Sequence, residues 1–141
     1  MGIAVSTKGY VFISDMMNAR VQVFDPQHNP MLTFGRPGNR YGDMGKPKHL
    51  GIGPDGTILI ADAEFAHIHL FNTQGQLLML VGGPEDVPGG TPMPFGVTIA
   101  QTLPETITPL VPDDFRADYY FFITNSIGTK RISLFAVGST R

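Results

Sequence analysis

Apolar residues in this chain fall at alternate positions within short runs, and turn residues separate the runs. The first four runs cover residues 3–5, 10–14, 20–24 and 31–34, with Lys8-Gly9 and Asp25-Pro26 between them and Gly35-Arg36-Pro37-Gly38 after them. A period of two bounded by Gly, Pro and Asp predicts half-buried strands joined by tight turns. The same events recur at 50–52, 57–61, 67–71 and 77–81, with turns at Pro54-Asp55-Gly56 and Thr73-Gln74-Gly75. The two stretches are copies. Asp15 and Asp62 close matching strands at a spacing of 62 − 15 = 47, and Gly9/Gly56, Ala19/Ala66, Phe24/Phe71, Gly35/Gly82 and Pro37/Pro84 keep it. Units of this length, each a few short strands, cannot bury their own apolar faces, so they must pack against one another radially or in a stack.

A third, looser copy begins at Gly96-Val97-Thr98-Ile99 and resumes at 119–124 and 131–135. Its Asn125 stands 125 − 62 = 63 residues after Asp62, so 63 − 47 = 16 residues have entered between its first two strands. They lie within 101–118, where Pro104, Pro109, Pro112 and the pair Asp113-Asp114 predict a surface loop throughout. Its apolar residues Leu110, Val111 and Phe115 are expected to pack on a neighbouring blade or subunit. After Phe135 too few residues remain for a turn and a fourth strand, which leaves an open edge. The expected fold is all-β, in three units at 1–47, 48–94 and 95–141 within one domain.

These residues resemble the NHL repeat, a building block of β-propellers. The first unit carries Ile13-Ser14-Asp15, Asn18, Arg20-Val21-Gln22-Val23-Phe24-Asp25, Phe34-Gly35, Gly38, Gly42 and Pro47. The second keeps Pro47, Gly56, Asp62, Phe71 and Gly82 but has His67 where the first has Arg20; the third keeps Pro94, Asn125, Arg131 and Phe135. The resemblance implies four-stranded blades, of which the third lacks its outer strand. NHL propellers typically have six blades, so three would leave two apolar blade faces open. The chain is therefore expected to close with a second copy, with the remainder of a split propeller, or as part of a longer polypeptide. Relatives of this type imply a periplasmic or extracellular setting, and the residues themselves assign none.

Composition narrows the chemistry. Ten basic against twelve acidic side chains give no footprint for nucleic acid or anionic lipid, and cysteine is absent, which removes disulfides, thiolate metal sites and a thiol nucleophile. The longest purely apolar run, 77–81, is too short to span a bilayer as a helix. Asp15 and Asp62 are expected to cap turns and to pair with Arg20 or its counterpart His67. His67 and His69 share a strand face that is polar in every unit, which disfavours a zinc site. The propeller lyase that completes peptide amidation carries zinc histidines directly after the proline that opens a blade. Here Lys48 and Phe95 hold those places, so the resemblance brings no catalytic residue, metal or cofactor with it.

The remaining reading is a non-enzymatic scaffold that binds a protein partner or other macromolecule through its blade-connecting loops. Arg36, Arg40, Tyr41, Lys48, His49 and Phe95 are the contact-capable side chains there. The basic stretch from Arg36 to His49 could meet RNA, but Glu85-Asp86 interrupt it in the next connection, so nucleic acid is not expected. The alternative is a metal-dependent hydrolase or lyase with a channel site completed by further blades.

Overall fold

The computed structural model describes residues 1–140; Arg141, the last residue of the third unit, lies outside the described residues. Eleven strands form three antiparallel meanders. The first sheet contains β1 (Gly2–Val5), β2 (Val11–Asp15), β3 (Arg20–Phe24) and β4 (Pro30–Phe34) in chain order. The second contains β5 (Pro47–Ile52), β6 (Ile58–Asp62), β7 (His67–Phe71) and β8 (Leu77–Gly82), also in chain order. The third has three strands, β9 (Pro94–Ala100), β10 (Phe115–Asn125) and β11 (Ile132–Thr140). The outer strand expected to be missing from the third sheet is missing among the described residues, and the final residues lengthen β11 instead.

Alternation along each strand sorts its side chains onto two faces. Phe12, Val21, Val23 and Phe34 of the first sheet meet Leu50, Ile58, Ile60 and Phe71 of the second in one buried cluster. The opposite face of the second sheet, with Leu59, Ala61, Ile68 and Leu70, meets Val97, Tyr119, Phe121 and Ile123 of the third. Each cluster is a seam between blades. The middle sheet is packed on both sides through β6 and β7, with β6 buried at all five positions, while its outer strand β8 stays partly exposed. The turn after β2 is a short 3-10 segment that ends on Ala19 at φ 48°, and Ala66 occupies the matching place at φ 56°.

The insertion departs from the sequence expectation at its far end. Residues 101–114 are irregular apart from a 3-10 turn at Thr108–Leu110, but 115–118 belong to β10. Phe115, Arg116 and Ala117 pair with Thr140, Ser139 and Gly138 of the lengthened β11, with a bulge before Tyr119. The proline-poor end of the insertion found a strand partner in the chain's last residues. Leu110, expected to pack, is 72% exposed.

A candidate binding platform at the inner strands

The inner strands β5 and β9 carry the same irregularity. Pro47 pairs with Asp62 and His49 with Ala61, so Lys48 has no register partner; Pro94 pairs with Asn125 and Gly96 with Thr124, so neither has Phe95. Both are β-bulges at one repeat position, 95 − 48 = 47 residues apart. A bulge adds a residue to one strand of a pair and re-aims its side chain away from the ladder. Ser14 helps fix the first bulge, since its Oγ donates to the Lys48 carbonyl at 3.2 Å across the seam.

The two re-aimed side chains meet. Lys48 Nζ lies 5.8 Å from the centroid of the Phe95 ring, and the ring is 52% exposed. The ammonium over the ring face is a cation–π contact worth about 0.5–1 kcal/mol at such a site. The pair forms a small platform, half cationic and half aromatic, spanning two blades.

His49 belongs to the same strand but not to the platform. Its Nδ1 accepts the Val97 N–H at 3.4 Å, which turns the ring into the seam with the third sheet. On its other side its Cα lies 2.8 Å from where a Cβ on Gly2 would stand, so the first blade can approach only as glycine. His49 therefore joins three blades.

Arg36, Arg40 and Tyr41 form a second group on the connection between β4 and β5. Arg36 Nε donates to Asp43 Oδ1 at 2.7 Å, and the Arg40 N–H donates to Asp43 Oδ2 at 3.1 Å. The Arg36 guanidinium, with help from that N–H, holds the Asp43 carboxyl below the usual aspartate range. Tyr41 stands 73% exposed and borders an open groove of about 460 Å³ that Phe34, Gly75 and Leu77 also line. The structure thus brings Lys48 and Phe95 together and ties Arg36 and Arg40 to Asp43 on the connection that leads into β5.

The strand-end aspartates and the paired histidines depart from expectation. Asp15 takes Arg20, as expected, with Nε to Oδ2 at 3.0 Å. Asp62 does not take His67: its carboxylate accepts the Gly45, Lys46 and Glu64 N–H groups and faces His69 Nε2 at 3.2 Å. His69, read as part of a polar face, is 2% exposed. The strands pair Asp62 directly with His67, but Asp62 and His69 share a face diagonally and both enter the seam. The approach lies off the hydrogen-bond axis, and neither His69 ring nitrogen makes a sound hydrogen bond among the described residues. No group of three or more His, Asp or Glu able to hold a metal occurs among the described residues.

Sequence reasoning missed a cleft of about 650 Å³ between the first two blades at the β1–β2 and β5–β6 turns. Tyr10, Met31, Leu32, Ile52 and Asp55 are among its walls, and Gln101, where the insertion leaves β9, lies at its edge. Each wall reads locally as an ordinary turn or strand end; only the splay of two packed blades makes the cleft.

No family model matches the chain, and no curated protein matches it. Solved structures do. Hydrazine synthase of Kuenenia stuttgartiensis aligns with a TM-score of 0.67 at 17% identity, over 96% of this chain and 32% of that one. Virginiamycin B lyase of Staphylococcus aureus aligns with a TM-score of 0.54 at 16% identity, over 99% of this chain and 41% of that one. BBS1N, solved in complex with ARL6DN, aligns with a TM-score of 0.57 at 11% identity, over 99% of this chain and 37% of that one. The chain spans about a third to two fifths of the length of these structures. Likeness at such low identity speaks for the fold alone. Together with three antiparallel meanders in seam-to-seam contact, it makes this chain three blades of a β-propeller.

Proposed function

We propose that this chain is an NHL-type propeller segment that binds a protein partner without chemistry of its own, through the Lys48–Phe95 platform and the adjoining 35–46 connection. The observation that carries the reading is the paired bulge. One repeat position in each of two neighbouring blades is lifted from its ladder, and its occupants form a cation–aromatic pair with a half-buried Lys48 and an exposed Phe95. Bulges that re-aim a side chain are common beside functional sites, and aromatic and cationic anchors on rigid elements dominate binding energy at protein interfaces. Tyr41 adds a further exposed ring. An acidic or aromatic peptide segment fits this chemistry best: its carboxylate meets Lys48 and its ring stacks on Phe95.

The test is a random dodecapeptide display library panned against the folded chain, with enriched peptides measured against wild type and K48A/F95A. The reading expects acidic or aromatic peptides that bind the double variant at least about 10-fold more weakly, a loss of about 1.4 kcal/mol. No enrichment, or equal binding to both proteins, overturns it.

A further inference from the structure

The cleft between the first two blades has a filled counterpart in the same molecule. In the seam between the second and third blades, Tyr119 stands just past the bulge in β10 and is 1% exposed. Its ring lies over the β5–β6 turn: a Cβ on Gly53 would stand 2.9 Å from the hydroxyl, which donates to Asp55 Oδ2 at 3.4 Å. One blade back, the place of Tyr119 falls to Gly56, since 119 − 56 = 63, the offset that relates Asn125 to Asp62. The places of Gly53 and Asp55 fall to Ser6 and Lys8 at the spacing of 47. Gly56, Ser6 and Lys8 all border the cleft. Where one seam holds a phenol ring against a carboxylate, the other has no side chain and opens beside a lysine.

The walls suit a ring. Tyr10, Phe12, Val23 and Leu32 of the first blade and Ile52 of the second line the cleft and belong to one apolar cluster. A concave, mainly apolar space of about 650 Å³ with a few polar groups at its rim has the form and size of a small-molecule site. Charge selects the ligand. Lys8 makes no ion pair among the described residues. Asp55, the other charged group on the rim, already accepts the Thr57 N–H at 2.9 Å and the Tyr119 hydroxyl. The uncompensated charge is positive.

We propose that this cleft binds a small aromatic carboxylate, with the ring between the first two blades and the carboxylate at Lys8. The ring packs beside Tyr10 and Phe12, and the ammonium of Lys8 donates to the carboxylate. The site lies at the opposite end of β5 from Lys48 and is independent of what the Lys48–Phe95 platform binds.

Naphthoate, its neutral amide and the corresponding naphthylmethylamine test the site. The chain has no tryptophan, so naphthalene fluorescence anisotropy reads binding without indole emission. Naphthoate should bind once per chain, about 5-fold more tightly than the amide, as one partly exposed ion pair allows, and the amine should bind most weakly. Lys8 is exposed, so K8Q should keep the strand signature in circular dichroism while naphthoate affinity falls to that of the amide. K48A/F95A should bind naphthoate as the wild type does, and the amide resonances that move on titration should be those of Ser6 to Tyr10 and Gly53 to Gly56. No binding of naphthoate in the millimolar range, equal binding of the three probes, or loss of naphthoate in K48A/F95A but not in K8Q overturns the proposal.

Discussion

Asp62 and His69 face each other at 3.2 Å with both side chains sealed in the seam between the first two blades. The other blades solve the same corner differently. In the first, Asp15 turns to Arg20 and Asn18 at the partly exposed rim. In the third, Asn125 Nδ2 donates to Ser133 Oγ at 3.1 Å and to the Lys130 carbonyl at 2.8 Å. The middle blade alone buries a carboxylate there, and the Gly45 and Lys46 N–H groups give it the bonds that make this affordable.

That carboxylate makes stability acid-sensitive. Burial alone raises the Asp62 pKa, but the facing His69 imidazole and the hydrogen bonds from the Gly45 and Lys46 N–H groups outweigh it, so the folded group ionises below the ordinary 3.8. A folded pKa below the unfolded one stabilises fully above 3.8 and loses that stabilisation as the pH falls through the lower folded value. D62N should cost about 3 kcal/mol at neutral pH, by leaving a buried network half-made. It should also flatten the acid limb of a urea-midpoint-against-pH curve. An unchanged acid limb in D62N would assign the acid sensitivity elsewhere.

Gly35 and Gly82 occupy the same repeat position at φ 87° and 93°, and both are closed to a side chain. A Cβ on Gly35 would overlap the end of the Met44 side chain and one on Gly82 would stand 2.2 Å from Thr91 Oγ1, each also within 3.1–3.2 Å of a backbone carbonyl, of Ala19 and Ala66 respectively. Met44 has rotamers to spare; Thr91 is fully buried, β-branched and bonded to the Ala66 carbonyl at 2.8 Å. Both G35A and G82A should destabilise, by about 1–2 kcal/mol from the left-handed backbone alone. G82A should lose more, and equilibrium urea unfolding of the two variants gives the order.

The insertion divides into a dispensable and a required part. Closure entropy changes by only about 0.6 kcal/mol per doubling of loop length, so replacing 102–113 with a short Gly-containing turn should shift stability by less than about 1 kcal/mol. Extending the excision through Ala117 removes the partners of Gly138, Ser139 and Thr140 and should release the end of β11. Proteolysis at the C-terminal segment, slow in the first variant and fast in the second, reads the difference.

Zinc and calcium should not copurify in stoichiometric amount. His49 is engaged by the Val97 N–H, and His69 is sealed against Asp62, so neither turns toward a shared point with His67. Elemental analysis after purification without chelator checks this. One zinc per chain would favour the metal-dependent alternative and make these three histidines the first ligands to replace.

The repeat was legible because a blade's backbone demands fixed residue types at fixed places. Glycine is at the left-handed corner of Gly35 and Gly82, an acid or its amide is at the strand end of Asp15, Asp62 and Asn125, and alternation fills each seam. The Asp62–His69 pairing was not legible, because direct cross-strand register joins Asp62 to His67 and only the twist of packed sheets makes the diagonal the shorter path. Alternation also hid the platform. It assigns Lys48 and His49 to opposite faces but gives no sign that Lys48 leaves the ladder, and the bulge shows only in the pairing. The lengthened β10 was missed for a different reason: its partner is the chain's own last segment, whose glycine and small polar residues do not read as a strand.

β6 has no residue on the outside: every position from Ile58 to Asp62 is buried. Solvent reaches either of its faces only after a seam opens, whereas β1 and β11 already carry exposed residues. In a chain whose units touch only their neighbours, local openings cost less toward the ends than in the middle. Deuterium should therefore enter from the two flanking blades inward, and the β6 amides should exchange last, at the rate set by unfolding of the whole.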